Sequence, residues 1–117
     1  MKSYTDIPQS KKLAEILPIK SADNYYSWHD EQYYIVNKDC PYPYSLKEKI
    51  PCWSLAALLN YLKSKNKFPE IGELSDGRFK LTTYIWDGEN SIQVSIGDTI
   101  VDACYELILK LHKLNLL

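Results

Sequence analysis

Glycine is scarce in this chain of 117 residues, which has only four, at positions 72, 77, 88 and 97. Their spacing allows neither the GxGxxG fingerprint of dinucleotide-binding domains nor the GxxxxGK[ST] loop that cradles nucleotide phosphates. The sequence also lacks HExxH, GxSxG and paired Cys/His zinc spacings. These absences exclude the enzyme classes that depend on those motifs. We therefore expect no cofactor, no metal, no catalytic residue and no enzymatic activity.

Cysteine is sparse too, with three residues at positions 40, 52 and 104 and no CxxC pair. An odd number without paired spacing fits free thiols in a reducing compartment better than a disulfide framework. The sequence shows no secretory leader pattern and no apolar run of about 18 residues. We therefore expect a cytoplasmic protein without a membrane segment.

Neither sign of charge dominates, because 14 basic and 15 acidic residues give a formal net charge of −1. The chain therefore has no overall positive field to hold a polyanion, and any nucleic-acid contact would need a local patch. Its length fits one domain, and a hydrophobic content of 45% suffices for a core. We expect residues 1–117 to form a single domain.

Capping signals mark the first and last helices. Asp6 is followed three residues later by Gln9, the pattern of a capping box, and Pro18 should end this short helix. Thr99 and Asp102 form a second match, which precedes an apolar stripe that runs to the end of the chain.

A central helix is predicted from leucines at the i, i+3, i+4, i+7 spacing of one buried face. Pro51 suits its first turn. The proline-containing segment 37–51 and the acidic segment 69–77 are interpreted as surface connections. The leucines of the buried face are Leu55, Leu58, Leu59 and Leu62.

Two stretches rich in aromatic and β-branched residues predict β-hairpins. One covers residues 25–36 around a polar tetrad at 29–32, and the other joins residues 80–86 to 91–96 through an Asp-Gly pair. The order helix, hairpin, helix, hairpin, helix predicts an α+β fold. Its core would be a mostly antiparallel four-stranded sheet packed by three helices.

The last predicted strand alternates regularly. Ile92, Val94 and Ile96 fall on one side and polar residues on the other. We therefore expect one of its sides to face water.

Aromatic residues are the clearest surplus, with ten tyrosines and three tryptophans. Adjacent tyrosines at 25/26 and 33/34 place rings on both faces of a sheet. Either helices cover both faces, or part of one face is an exposed aromatic platform for a partner. The candidate binding residues are Trp28, His29, Tyr84 and Trp86.

The sequence Trp28-His29-Asp30-Glu31 is the one place where titratable and aromatic groups crowd together. A histidine beside carboxylates can act as a general base or bind a divalent metal ion. A hairpin turn needs polar residues in any case. We interpret the polar tetrad 29–32 as a hairpin turn and keep catalysis by His29 with Asp30 and Glu31 as the alternative.

Three strings resemble an uncharacterised family of small proteins from gut anaerobic bacteria and their phages or prophages. They are QSKKLAEILP with SADNYY, IPCWSLAALLNYL, and DACYELILKLHKLNLL. They cover residues 9–26, 50–62 and 98–117. The terminal DxxxDA helix is also similar to small phage domains described as α-β-α sandwiches of unknown function. The resemblance implies a phage or mobile-element accessory protein and carries over no catalytic residue.

The leading hypothesis is a non-enzymatic interaction module that binds an unidentified protein partner, because interfaces favour aromatic residues. The alternative is a nucleic-acid-binding module that uses sheet aromatics and a local lysine cluster. No membrane contact is expected, and an enzyme built on His29 ranks third. The cations that could form the cluster are Lys47, Lys49, Lys63, Lys65, Lys67, Arg78 and Lys80.

Overall fold

The computed structural model describes residues 2–39, 49–86 and 90–117, apart from the side chains of His29, Trp86 and Asn90. Three α-helices, one 3-10 helix and six strands follow one another along the described residues. In chain order they are α1 Ile7–Ala14, the 3-10 helix Ile19–Ser21, β1 Asn24–His29, β2 Gln32–Asn37, β3 Lys49–Cys52, α2 Leu55–Ser64, β4 Glu70–Glu73, β5 Phe79–Trp86, β6 Asn90–Gly97 and α3 Ile100–Lys113.

These strands form two separate antiparallel sheets. Sheet 1 has the order β2-β1-β3, and sheet 2 has the order β4-β5-β6. The α+β class agrees with the prediction, but the predicted single four-stranded sheet and the strict alternation of helix and hairpin are wrong. Each hairpin gains a third strand from a segment that the sequence assigns to a connection.

Neither additional strand has the composition of a buried strand, which is why the sequence does not predict them. β3 contains Pro51, which cannot donate a backbone hydrogen bond. An edge strand tolerates it, because one side of such a strand has no neighbour to receive that bond. β4 is short, carries Glu70 and Glu73, and is exposed along its whole length. Charge and shortness are usual for a sheet edge.

Side-chain caps fix the starts of the first and last helices, as predicted. The Asp6 carboxylate accepts from the Gln9 backbone N–H at 2.9 Å, and the Gln9 side-chain oxygen accepts from the Asp6 N–H at 3.1 Å. This is the reciprocal capping box. At α3, the Thr99 hydroxyl accepts from the Asp102 N–H at 3.1 Å.

The central helix α2 is present but starts later than predicted. Ser54 is its N-cap and accepts from the Ala57 N–H at 3.1 Å, whereas Pro51 belongs to β3. Leu58 and Leu62 are fully buried, so the leucine spacing identifies the correct face.

Both predicted hairpins are confirmed as β1–β2 and β5–β6. The first turns through two residues, Asp30 with φ 48° and Glu31 with φ 64°. Positive φ at both central positions gives a twist that matches the flanking strands. The turn of the second hairpin lies outside the described residues.

A hydrophobic core lies between one side of sheet 2 and the three helices. Trp53, which follows β3, is the largest of its fully buried side chains. Sheet 1 joins the rest of the molecule mainly through β3, which packs on α1. The other large members are Leu13, Leu17, Leu58, Leu62, Leu81, Ile85, Val101, Leu107, Ile108 and Leu111.

The molecule is elongated, with principal extents of 50 × 32 × 20 Å and a radius of gyration of 15.3 Å. A compact chain of this length would have a radius of gyration of about 13 Å.

Lys2 ties the N-terminal segment to both capped helices. Its ammonium group lies 3.0 Å from an oxygen of Asp6 and 2.6 Å from an oxygen of Asp102. It also donates to the Gln9 side chain at 2.9 Å, and Gln9 donates to Asp102 at 2.9 Å. Carboxylates near helix N-termini are favoured by the helix dipole, and the lysine offsets their mutual repulsion.

We predict that Asp102→Asn lowers the free energy of unfolding by roughly 1 kcal/mol at pH 7, because charge-assisted hydrogen bonds are replaced by weaker ones. Burial opposes ionisation of Asp102, but hydrogen bonds from Lys2, Gln9 and Thr99 outweigh it and lower the pKa of the carboxyl. Its contribution is present above the ordinary aspartate pKa of about 4 and is lost as the pH falls through the lower folded-state pKa.

Urea unfolding of both proteins at pH 7 and at stepwise lower pH measures this difference. Glu106→Gln, one turn along α3 on an exposed residue, makes the same charge change and should alter stability little. A difference for Asp102→Asn that stays constant into strong acid, or an equal effect of Glu106→Gln, would contradict the assignment.

Candidate protein-binding face

One side of sheet 2 presents apolar side chains to solvent. Paired residues of neighbouring antiparallel strands point to the same side of a sheet. The register of β5 and β6 defines this side, named here the outer face, by three pairs: Tyr84 with Ile92, Thr82 with Val94, and Lys80 with Ile96. Tyr84, Ile92 and Ile96 are 45%, 57% and 42% exposed.

The opposite side of the same strands is buried under the helices. Leu81, Thr83 and Ile85 of β5 lie there, together with Ser95 of β6. The side of β6 that carries Ser95 therefore faces the core, and the side that carries Ile92 and Ile96 faces water. The prediction that one side of this strand faces water is confirmed, and the exposed side is the apolar one.

The close approach of α3 gives the physical reason for this orientation. A Cβ atom at Gly97 would lie only 2.4 Å from the Ala103 backbone nitrogen and 2.8 Å from the Asp102 Cβ. The Ser95 hydroxyl donates to the Ala103 carbonyl oxygen at 2.6 Å. Small residues let the helix backbone approach the strand, whereas isoleucines on this side would hold it away. The isoleucines must then occupy the outer face.

Both edges of sheet 2 carry features that hinder strand addition. At the β6 edge, the Lys110 ammonium group donates to the Val94 carbonyl oxygen at 2.8 Å. At the β4 edge, the exposed strand carries two glutamates, Glu70 and Glu73. Lysines and other charges on edge strands oppose pairing with a further strand. The outer face, rather than an edge, is the available contact surface of this sheet.

Sheet 1 also exposes an aromatic group. Trp28 is 42% exposed, and its ring lies 4.8 Å from that of Tyr33, edge to face. Tyr33 contacts Tyr26 in turn, with ring centroids 6.3 Å apart. The Tyr26 hydroxyl donates to the Thr5 carbonyl oxygen at 2.6 Å, which anchors this row of rings to the N-terminal segment.

The four predicted binding residues are divided between the two sheets. Trp28 lies on sheet 1 and Tyr84 on sheet 2. His29 ends β1 and Trp86 ends β5, and the side chains of both lie outside the described part of the structure. Ile92 and Ile96 are large exposed apolar residues of the outer face, yet they are absent from the predicted binding residues. The alternation of apolar and polar residues in β6 predicts two different sides, but it does not predict which of them the helix covers.

The described residues contain no cluster of candidate metal ligands, and their two cysteines are buried. Asp30 and Glu31 form the hairpin turn, and no three His, Cys, Asp or Glu side chains of the described residues could hold a metal ion. Cys52 and Cys104 are free and buried, as predicted, while Cys40 lies outside the described residues. Burial raises the pKa of the Cys104 thiol to about 12, so it is protonated at neutral pH.

A groove of about 920 Å³ runs between β6 and α3. Three of the four cations that line it are already bound within the protein. Lys2 contacts two carboxylates, Lys110 contacts the Val94 carbonyl, and Arg78 lies 2.8 Å from an oxygen of Asp76. Asp6, Asp98, Asp102 and Glu106 line the same groove, so its four cations are matched by four carboxylates and it has no net positive charge.

The orientation of β5 predicts different effects for the same substitution at two neighbouring threonines. The Thr83 hydroxyl is buried and has no hydrogen-bond partner in the described structure. Thr83→Val keeps the shape and removes a desolvated hydroxyl, so the free energy of unfolding should rise by about 1 kcal/mol. Urea unfolding at pH 7 measures the change.

Thr82→Val is the matched control, because the same substitution falls on the outer face. It should change stability by less than about 0.5 kcal/mol, as is usual for a surface substitution. Stabilisation by Thr82→Val and loss of stability in Thr83→Val would mean that the two sides of the strand are reversed.

No family model, curated protein or solved structure matches this chain. The resemblance to phage and gut-bacterial proteins therefore stays a prediction. Among the described residues, no helix combines the length and apolar character needed to cross a membrane.

Proposed function

We propose that this chain is a non-enzymatic interaction module that binds a partner protein through the outer face of sheet 2. The observation that carries the proposal is the exposure of Tyr84, Ile92 and Ile96 on one continuous side of β5 and β6. Single exposed apolar residues are ordinary, whereas a contiguous apolar patch marks an interaction surface.

The composition of the face fits a protein interface with an apolar centre and a polar rim. Tyr84, which pairs with Ile92, supplies an aromatic ring of the kind that dominates binding energy. Covering each half-exposed side chain contributes on the order of 1 kcal/mol. Lys80 lies at one end of the face, and Glu70, paired with Thr82, lies along its β4 side.

The partner should present an apolar surface rather than a free strand, because the sheet edges hinder strand addition. A phage or host protein in the cytoplasm is the first class to test, since the sequence resembles phage-associated proteins. The outer face is a poor match for nucleic acid, because Lys80 is its one basic residue among the six that define it.

We predict that the double variant Ile92→Thr/Ile96→Thr loses partner binding while keeping its fold. Threonine preserves the strand preference of a β-branched residue and removes apolar surface. Tagged wild-type and variant protein are used to capture proteins from nuclease-treated bacterial lysate. Proteins retained by the wild type should fall at least about tenfold with the variant, equivalent to 1.4 kcal/mol.

Phe68→Thr serves as the control, because Phe68 is 62% exposed in the loop between α2 and β4, outside the outer face. It should retain the same proteins as the wild type. Equal retention by the Ile92→Thr/Ile96→Thr variant would rule out this face as the binding site. Untagged chain is added in a separate capture experiment. Its retention by the tagged protein would identify the partner as a second copy.

A further inference from the structure

A second surface, between sheet 1 and α2, has a different chemistry. Two adjoining cavities of about 670 Å³ and 420 Å³ share Lys20, Ala22 and Lys38. The larger extends along α2 to Tyr61 and Lys65. The smaller extends across β1 and β3 to Tyr25 and Lys49. Together they form what we call the basic groove, which has four lysines and two tyrosines.

Within the described residues, the lysines of the basic groove have no carboxylate partner. Lys20, Lys38, Lys49 and Lys65 are all exposed, and none forms an ion pair with a carboxylate of the described residues. Two lie over aromatic rings instead, with Lys49 Nζ 4.4 Å from the Tyr25 centroid and Lys65 Nζ 5.8 Å from the Tyr61 centroid. Such contacts orient a cation without neutralising it.

Asp23 is the one carboxylate that lines the groove in its described part, and it is engaged elsewhere. It accepts from the Ser54 backbone N–H at 2.9 Å and also from the Ser54 hydroxyl. The four lysines and Asp23 contribute +3 to a chain whose formal charge is −1, so the remaining residues carry −4. The basic groove is therefore positively charged, although the chain as a whole has a small negative charge.

The walls of the groove are held in place by the core. The Trp53 indole N–H donates to the Ser21 hydroxyl at 2.9 Å, which fixes the 3-10 helix that carries Lys20. The Lys38 backbone N–H donates to the Asp23 carbonyl oxygen at 3.2 Å. Ile19, which is 69% exposed, adds apolar surface to the lining of the smaller cavity.

We propose that the basic groove binds a single-stranded nucleic acid. Such a strand carries a negative charge on every nucleotide and a flat apolar base beside it, so it matches a groove with a cationic rim and an aromatic and aliphatic floor. An acidic peptide would satisfy the lysines but would leave the apolar floor without a flat group to cover it. The site shares no residue with the outer face of sheet 2.

The number of lysines sets the expected salt dependence. For single strands, the slope of log affinity against log salt is about −0.7 for each phosphate contact, so four contacts give about −3. Raising the salt from 50 to 200 mM should then weaken binding roughly 50-fold.

The test uses fluorescence anisotropy of a labelled 12-nucleotide oligothymidine with the full chain. Lys38→Gln and Lys49→Gln should each weaken binding and make the salt slope shallower by about 0.7. Tyr25→Leu should weaken binding at least about fivefold, because it removes a ring against which a base can stack. Circular dichroism confirms that each variant is folded.

Lys80→Gln is the charge-matched control, because Lys80 lies on the outer face of sheet 2, and it should bind as the wild type does. Ile92→Thr/Ile96→Thr should also bind normally, which separates this site from the protein-binding face. No binding at 50 mM salt, or equal losses in Lys80→Gln and Lys38→Gln, would overturn the proposal. Equally tight binding of an oligoglutamate peptide would overturn the nucleic-acid assignment.

Discussion

The burial of Trp53 is the constraint on which the arrangement of the two sheets depends. Its side chain is fully buried, and its backbone N–H and carbonyl both bond to Thr5, at 3.2 and 2.9 Å. Its indole N–H is satisfied by Ser21. A buried indole needs such a partner, because an unpaired N–H would cost about 1–3 kcal/mol. One residue thus joins the N-terminal segment, the 3-10 helix, β3 and α2, and sheet 1 is held to the core through it.

A second constraint acts at sheet 2, where three helices share one core. Because α3 packs tightly against Gly97 and Ser95, the large residues of β6 have no place on the covered side. A helix over the outer face would bury these large residues, but α1 and α2 pack in the core around Trp53. The exposed isoleucines are therefore a consequence of the packing on the other side of the same strand.

Local signals predict the parts of the fold that depend on local chemistry. The capping residues Asp6 and Thr99 mark their helices correctly, because a cap is decided by residues within one turn. The edge strand β3 is not predicted, because its pairing with β1 depends on contacts that are distant in sequence. The strand tolerates Pro51 only because it lies at the edge of the sheet. The same limit applies to the outer face: periodicity separates the two sides of β6, but only the tertiary packing of α3 decides which side is covered.

The overall charge of the chain conceals an uneven distribution that bears on both surfaces. Lys2 bridges the carboxylates at the starts of α1 and α3, and Lys110 donates a hydrogen bond to the Val94 carbonyl at the β6 edge. Among the described residues, the lysines near the 3-10 helix and β3 have no carboxylate partner. Free positive charge therefore remains at the basic groove, while the outer face of sheet 2 keeps apolar side chains and blocked edges. A partner protein and a charged strand would accordingly be recognised by different forces, hydrophobic burial in one case and counterion release in the other, and the two could bind without competing for a residue.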